Sequence, residues 1–158
     1  MKKKIILLIT SYAIVFVLGF SLGIYILPIL TSPKSVDIDK IIKFEENALY
    51  KTSFVKDLKG SDLFHWGEAD VSVSNNKIIV NGSIAPGPDY RLYLTKKFVE
   101  QEEEFLSAKD NARYVAEVKT FKNFVITIPE DIDINDYNTI VIWCESFSEF
   151  ITAAKYKL

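Results

Sequence analysis

Hydrophobic and polar positions divide this chain into two regimes. From residue 5 to residue 33 no side chain carries a charge, and isoleucine, leucine, valine and phenylalanine dominate. That run exceeds the roughly 20 residues that cross the hydrocarbon core of a bilayer, so it predicts a transmembrane helix. Gly19, Gly23 and Pro28 interrupt it, but such breakers are better tolerated in lipid-embedded helices than in soluble ones. By the positive-inside rule Lys2, Lys3 and Lys4 stay in the cytoplasm and everything after about Leu30 lies outside. The expected location is the plasma membrane, single-pass, with a cytoplasmic N-terminus and an extracytoplasmic C-terminal domain. A cleaved signal peptide is the competing reading, because Gly19-Phe20-Ser21 offers small residues where a signal peptidase inspects them. The apolar run continuing through Ile24-Tyr25-Ile26-Leu27 weighs against it.

Residues 31–63 mix both characters. Thr31-Ser32-Pro33 ends the apolar run, and Ile38, Ile41, Ile42 and Phe44 have helical spacing behind Asp37, a candidate N-cap. This stretch reads as a stalk or linker with one short helix that lifts a domain off the bilayer. After Trp66 the period becomes two. Ala69, Val71 and Val73 alternate with Asp70, Ser72 and Ser74, and Asn75-Asn76 supplies a turn into Lys77-Ile78-Ile79-Val80-Asn81, which predicts a β-hairpin. Ala85-Pro86-Gly87-Pro88-Asp89 breaks the pattern, and Tyr90-Arg91-Leu92-Tyr93-Leu94 resumes it.

A charged interruption around Glu102-Glu103-Glu104 predicts a turn or two of surface helix whose role is solvation. Strand-like runs return over residues 114–118, 124–128, 139–144 and 147–153. Short strands separated by turn residues predict a mainly β fold, an antiparallel β-sandwich over residues 64–158, preceded by one transmembrane helix over residues 1–30.

Charge narrows the partners. Taking the three N-terminal lysines from the 19 basic residues leaves 16 against 21 acidic ones, a net charge near −5 outside the anchor. Such a surface has no long-range attraction for phosphates, which argues against nucleic-acid binding. The expected partners are the membrane, through the N-terminal helix, and a redox partner protein or cell-envelope ligand.

Cysteine usage raises the main chemical question. Cys144 is the single cysteine; on the oxidising side of a membrane it has no partner in its own chain, so it is buried, reactive or bound to something. Around it the order of Gly87-Pro88-Asp89-Tyr90-Arg91-Leu92-Tyr93-Leu94, then Ile128-Pro129 before Asp133 and Tyr137, then Val141-Ile142-Trp143-Cys144-Glu145-Ser146-Phe147 resembles the DM-thirteen domain family, the electron-transfer DM domain. The resemblance runs over about residues 64–158. It implies a β-rich extracytoplasmic module, DOMON-like or jelly-roll-like, with a redox role centred on the motif cysteine, Cys144 here, as a bare thiol or with a prosthetic group such as haem. Thr120-Phe121-Lys122-Asn123-Phe124 departs from the family pattern, standing where a glycine-bearing turn is usual, and so does the C-terminal Ala153-Ala154-Lys155-Tyr156-Lys157-Leu158.

On strand geometry, Ile140, Ile142 and Cys144 share one face of their strand and Val141, Trp143 and Glu145 the other. Both faces are apolar up to Glu145, which sandwiches the strand between layers and places the thiol near the core. A thiol there has its pKa raised and stays inert. Redox work requires a reachable sulfur and a stabilised thiolate, and the adjacent Glu145 opposes the latter if close. Cys144 is the candidate redox thiol. The candidate cofactor-binding set is Cys144 with His65, the single histidine, together with Trp143 and Phe147. The cofactor itself is not fixed by these residues; haem is the one group considered, and no Cys-x-x-Cys-His is present for covalent attachment.

Two further motifs carry less. Asp131, Asp133, Asn135 and Asp136 begin like a calcium loop, but Asp136 and Ile142 occupy the places an EF-hand gives to glycine and glutamate, so no metal site is assigned. Asn81-Gly82-Ser83 fits a glycosylation acceptor and equally a glycine-bearing bulge. No nucleophile elbow or paired-histidine motif is present. Two functions remain: a membrane-anchored extracytoplasmic redox or electron-transfer domain acting through Cys144, and a non-enzymatic ligand- or protein-binding module in which Cys144 is packing.

Overall fold

The computed structural model describes residues 2–158. Helix α1 (Lys2–Thr31) buries none of its residues, and by length and composition it could cross a membrane. Its last carbonyls are capped from within: Thr31 Oγ1 donates to Leu27 O at 2.8 Å and Ser32 Oγ to Ile29 O at 3.0 Å. Pro33 disfavours helical geometry in the residue before it, and the helix stops there.

Eight strands follow. Strands β1 (Tyr50–Phe54), β2 (Gly67–Val73), β3 (Lys77–Ile84) and β6 (Lys122–Thr127) form one sheet in that order. Strands β5 (Arg113–Val118), β4 (Tyr90–Thr95), β7 (Thr139–Cys144) and β8 (Glu149–Lys155) form the other. Every pairing is antiparallel. The core lies between the sheets, with Val71, Val73, Ile78 and Val80 from one meeting Leu92, Leu94, Ile140 and Ile142 from the other. This is the mainly β sandwich that the period-two pattern predicts. The hairpin turns at Asn75-Asn76, and β7 coincides with the expected run.

Both outer faces are covered as well. Helix α2 (Ile38–Glu45) packs on β3 and β6, and Ile41 on it and Ile79 on β3 are fully buried. Ile79 alternates with the core residues Ile78 and Val80, so it faces away from the sandwich. Asp37 does take the N-cap position, but its side chain makes no capping bond; its carbonyl accepts from Lys40 N and Ile41 N instead.

On the second sheet, helix α3 (Glu102–Ala108) lays Phe105, 0 % exposed, over Tyr93 and Trp143. The charged interruption is therefore a lid on the sheet, with its glutamates outward, rather than a solvating loop alone.

The stretch 31–63 is drawn into the fold. It carries α2, and β1 pairs with β2 in register from Tyr50↔Val73 to Phe54↔Ala69. Thr52 Oγ1 donates to Lys155 O on β8 at 2.8 Å, joining the edges of the two sheets. The sandwich has two distinct ends. The Asn75-Asn76 turn and the 3-10 turn Ile134–Asp136 lie at the end distal to α1. At the proximal end β2 starts, β3 ends, β4 starts and β7 ends, beside α1.

Candidate functional site

Strand β7 puts Cys144 at its proximal end, on the inner face expected from the alternation. The residue is 3 % exposed and belongs to the sandwich core. It pairs across β4 with Tyr90, and its Sγ donates to Pro88 O at 3.2 Å. The Gly87-Pro88-Asp89-Tyr90 turn that supplies this carbonyl is tightly built. A Cβ on Gly87 would lie 2.3 Å from the Tyr90 hydroxyl, so only glycine lets that ring close the turn. Asp89 adopts a left-handed conformation, φ 50°, which aspartate tolerates. Its carbonyl accepts from Glu145 N at 3.1 Å and its carboxylate from Ser146 Oγ at 2.8 Å. The Gly87–Tyr90 turn and the stretch from Cys144 to Ser146 are thus one structural unit, each holding the other.

The thiol pKa is raised. Burial is the largest cause, reinforced by the Asp89 and Glu149 carboxylates, while the backbone N–H groups of Phe147 and Ser146 pull it partway back. Glu145, the sequence neighbour expected to oppose the thiolate, is turned to the other face. There it accepts from the Tyr93 hydroxyl and pairs with Lys109 Nζ at 2.8 Å. Burial alone would raise the Glu145 pKa, but the bonds from Lys109 and Tyr93 and the nearby cations hold it below the usual range.

The four candidate residues separate into two groups. Cys144, His65 and Phe147 line one cavity of about 550 Å³ at the proximal end, with Tyr90, Pro86–Pro88 and the α1 residues Leu18–Tyr25 completing its walls. Trp143 lies on the opposite face of β7, fully buried against Phe105 at 4.8 Å between ring centroids, with Lys109 Nζ 5.2 Å from its ring. Tyr90 and α1 are lining residues that the sequence did not single out for this cavity. A shared face could have flagged Tyr90 as the partner of Cys144, but nothing local signals the approach of α1.

His65 is oriented by its own loop. Its Nδ1 lies 3.0 Å from Asp62 Oδ2, and Asp62 Oδ1 accepts the backbone N–H groups of Phe64 and His65 at 2.6 and 2.7 Å. Burial opposes ionisation of Asp62, yet these bonds win and its pKa is lowered. A carboxylate only accepts, so the neutral ring carries its proton on Nδ1 and leaves Nε2 as a free base. Carboxylate-held imidazoles of this kind suit axial ligation. Cys144 does not suit it: its sulfur donates to a carbonyl and is flanked by two carboxylates, surroundings that disfavour the thiolate a haem iron takes. The donor set fits one imidazole but not a cysteine-ligated haem.

The acidic segment is spent locally. Asp133 Oδ1 accepts from Asn135 N and Nδ2 at 2.8 and 2.9 Å, and Asp131 pairs with Arg113. Among the described residues no cluster of three or more potential metal ligands occurs.

The buried hydroxyls and thiol make an alkaline limit on stability. Burial raises the pKa of Tyr90, Tyr156 and Cys144, and burial with the Glu145 bond pushes Tyr93 up to about 12. The folded state therefore holds protons that the unfolded chain releases near pH 8.5 for cysteine and about 10 for tyrosine. Their contribution is complete below those values and falls as pH rises through the folded pKa values. Between pH 8 and pH 11 the thermal midpoint is expected to drop steadily, with the tyrosinate absorbance of Tyr90, Tyr93 and Tyr156 appearing only alongside unfolding. Full ionisation of all the tyrosines near pH 10 in the folded protein would contradict this packing.

A profile of the family described as Electron transfer DM13 matches residues 53–156. The match begins within β1, before the residue 64 at which the motif resemblance starts. No curated protein and no solved structure matches the chain. With a match over this much of its length, the chain belongs to the electron transfer DM13 family.

Proposed function

We propose that this chain is a membrane-anchored electron-transfer domain held outside the cytoplasm, acting through Cys144. The observation that carries the reading is the position of the sulfur. Although buried, it sits in the wall of a cavity that also takes in the single imidazole of the chain, His65, rather than in the middle of the sandwich. The family supplies the redox context, and α1 supplies an apolar segment long enough for an anchor.

The chemistry open to one thiol is exchange with a partner disulfide. The sulfur loses its proton, His65 Nε2 being the base in the same cavity, and attacks one partner sulfur. A mixed disulfide forms while the other partner sulfur leaves as a thiolate. The amides of Ser146 and Phe147 favour the thiolate once a docking partner closes the site, and the resting thiol stays protected by its raised pKa. Trp143 has no part in this step; it shapes the strand from behind.

A second reading, a binding module in which Cys144 only packs, is favoured by its 3 % exposure and its bond to Pro88. Thiol labelling of the full chain in micelles separates the two. The redox reading expects native labelling slower than that of a free thiol by about 100-fold or more, yet faster than global unfolding and accelerating with pH. Labelling that proceeds only at the global unfolding rate, independent of pH beyond that limit, would assign Cys144 to packing.

A further inference from the structure

The proximal end of the sandwich carries exposed apolar side chains that water does not explain. Leu63 is 82 % exposed, Phe64 58 % and Phe147 51 %. They come from two separate loops, the one before β2 and the β7–β8 turn, and Phe64 and Phe147 line the same cavity beside α1. Phe64 meets Tyr25 of α1 edge-on, with ring centroids 6.3 Å apart. Single exposed apolar residues are ordinary on a protein surface, but a cluster at one end marks an interaction site.

The position of the cluster along α1 identifies the occupant. With Lys2–Lys4 at the cytoplasmic headgroups, about 20 residues from Ile5 traverse the hydrocarbon core and reach the neighbourhood of Ile24. The cavity shared with the domain is walled by α1 from Leu18 to Tyr25, so at 1.5 Å per residue it starts about 9 Å below that level. Phe64, which meets Tyr25, and Phe147, which lines the same cavity, therefore lie between that level and the outer acyl chains. Tyr25 sits at the boundary, where amphipathic rings are enriched. Asp62, Asp89 and Glu149 border the cluster and keep the immersion shallow, because carboxylates stay at the headgroup level.

We infer that Leu63, Phe64 and Phe147 form a lip that inserts into the outer leaflet, so that the mouth of the Cys144 cavity opens at the lipid interface rather than into bulk water. The occupant is the lipid surface itself, continuous with the anchor. This inference rests on the membrane-anchored reading of α1.

The test uses the full chain reconstituted into phosphatidylcholine vesicles, with Leu63→Trp and Phe147→Trp as separate probes over the background of Trp66 and Trp143. Asn76→Trp, at the distal turn, is the control. Lipids brominated at shallow acyl positions are expected to quench the added emission of both lip variants by about half, as suits burial to roughly 5–10 Å, and to leave that of Asn76→Trp unchanged. Vesicle flotation is read in parallel. Flotation without quenching at either lip position overturns the lip while leaving the anchor standing. Failure to float overturns the anchor and the lip with it. Equal quenching at all three positions overturns the lip as well, since the domain would then lie flat and not on its proximal end.

Discussion

Trp143→Ala is expected to remove about 3–5 kcal/mol of unfolding free energy, a large part of the roughly 5–15 kcal/mol that holds a typical domain. The residue is fully buried on the outer face of β7, in a cluster with Tyr93, Val99, Phe105 and Phe150. Truncation leaves a void beneath α3 that a rigid strand cannot close. Trp143→Phe tells packing from polarity. The indole Nε1 is buried without a hydrogen-bond partner, so phenylalanine loses some volume but also an unpaired donor, and a change of about 1 kcal/mol or less is expected. Denaturant midpoints of the two variants in micelles read the difference. Equal losses would mean that the ring contributes through its N–H after all, and that α3 does not pack as described.

Gly82→Ala is the second severe case, with a loss of about 3 kcal/mol or more expected. Gly82 has φ +145° in the irregular part of β3, where its register against β6 shifts between Val80 and Ser83. A Cβ there would lie 2.4 Å from Glu68 O and 2.5 Å from the Ala69 Cα, both backbone atoms of β2 that cannot step aside. The Gly82 N–H also donates to Asn123 Oδ1 at 3.0 Å, so a shifted backbone breaks the tie to β6 too. Ser83→Ala, one residue on, is expected to stay within about 0.5 kcal/mol. A thermal midpoint for Gly82→Ala equal to that of Ser83→Ala would show that the bulge is not as tight as this.

Much of this was legible in the chain because the physical cause was local. Alternation of Ala69, Val71 and Val73 with Asp70, Ser72 and Ser74, followed by the Asn75-Asn76 turn and a second apolar run, is enough to place a hairpin, and a strand apolar on both faces, as in residues 139–144, can only lie between layers. Strand β1 was not legible. Tyr50, Thr52 and Phe54 do alternate, but only Phe54 is buried, since an edge strand can stay polar on most positions. Phe105 is masked in the sequence by the three glutamates that precede it; its burial depends on a partner surface, Tyr93 and Trp143, far away along the chain.

The departure at residues 120–124 has a similar explanation. Asn123 stands at φ 46°, a left-handed position that asparagine adopts more readily than most residues, so the chain turns there without a glycine. At the site, adjacency misled for Glu145 and was silent for Asp89 and Glu149, because a strand sends neighbouring side chains to opposite faces while turns bring distant ones together. The cavity has no signature at all in the sequence, being made where two loops, a proline-rich turn and a helix converge.

The junction between α1 and the sandwich carries a final consequence. Val36 N donates to Asn123 O at 2.8 Å, Thr120 Oγ1 to Pro33 O at 3.5 Å, and α2 clasps the sheet directly afterwards. The chain thus passes from helix to domain with hardly a free residue between them, and no slack tether remains to let the head swing or reach upward. On the membrane-anchored reading proposed above, a redox partner would have to come to the plane of the domain. On that reading its encounters would become a two-dimensional search, in which lateral crowding, more than bulk concentration, sets how often a partner is found.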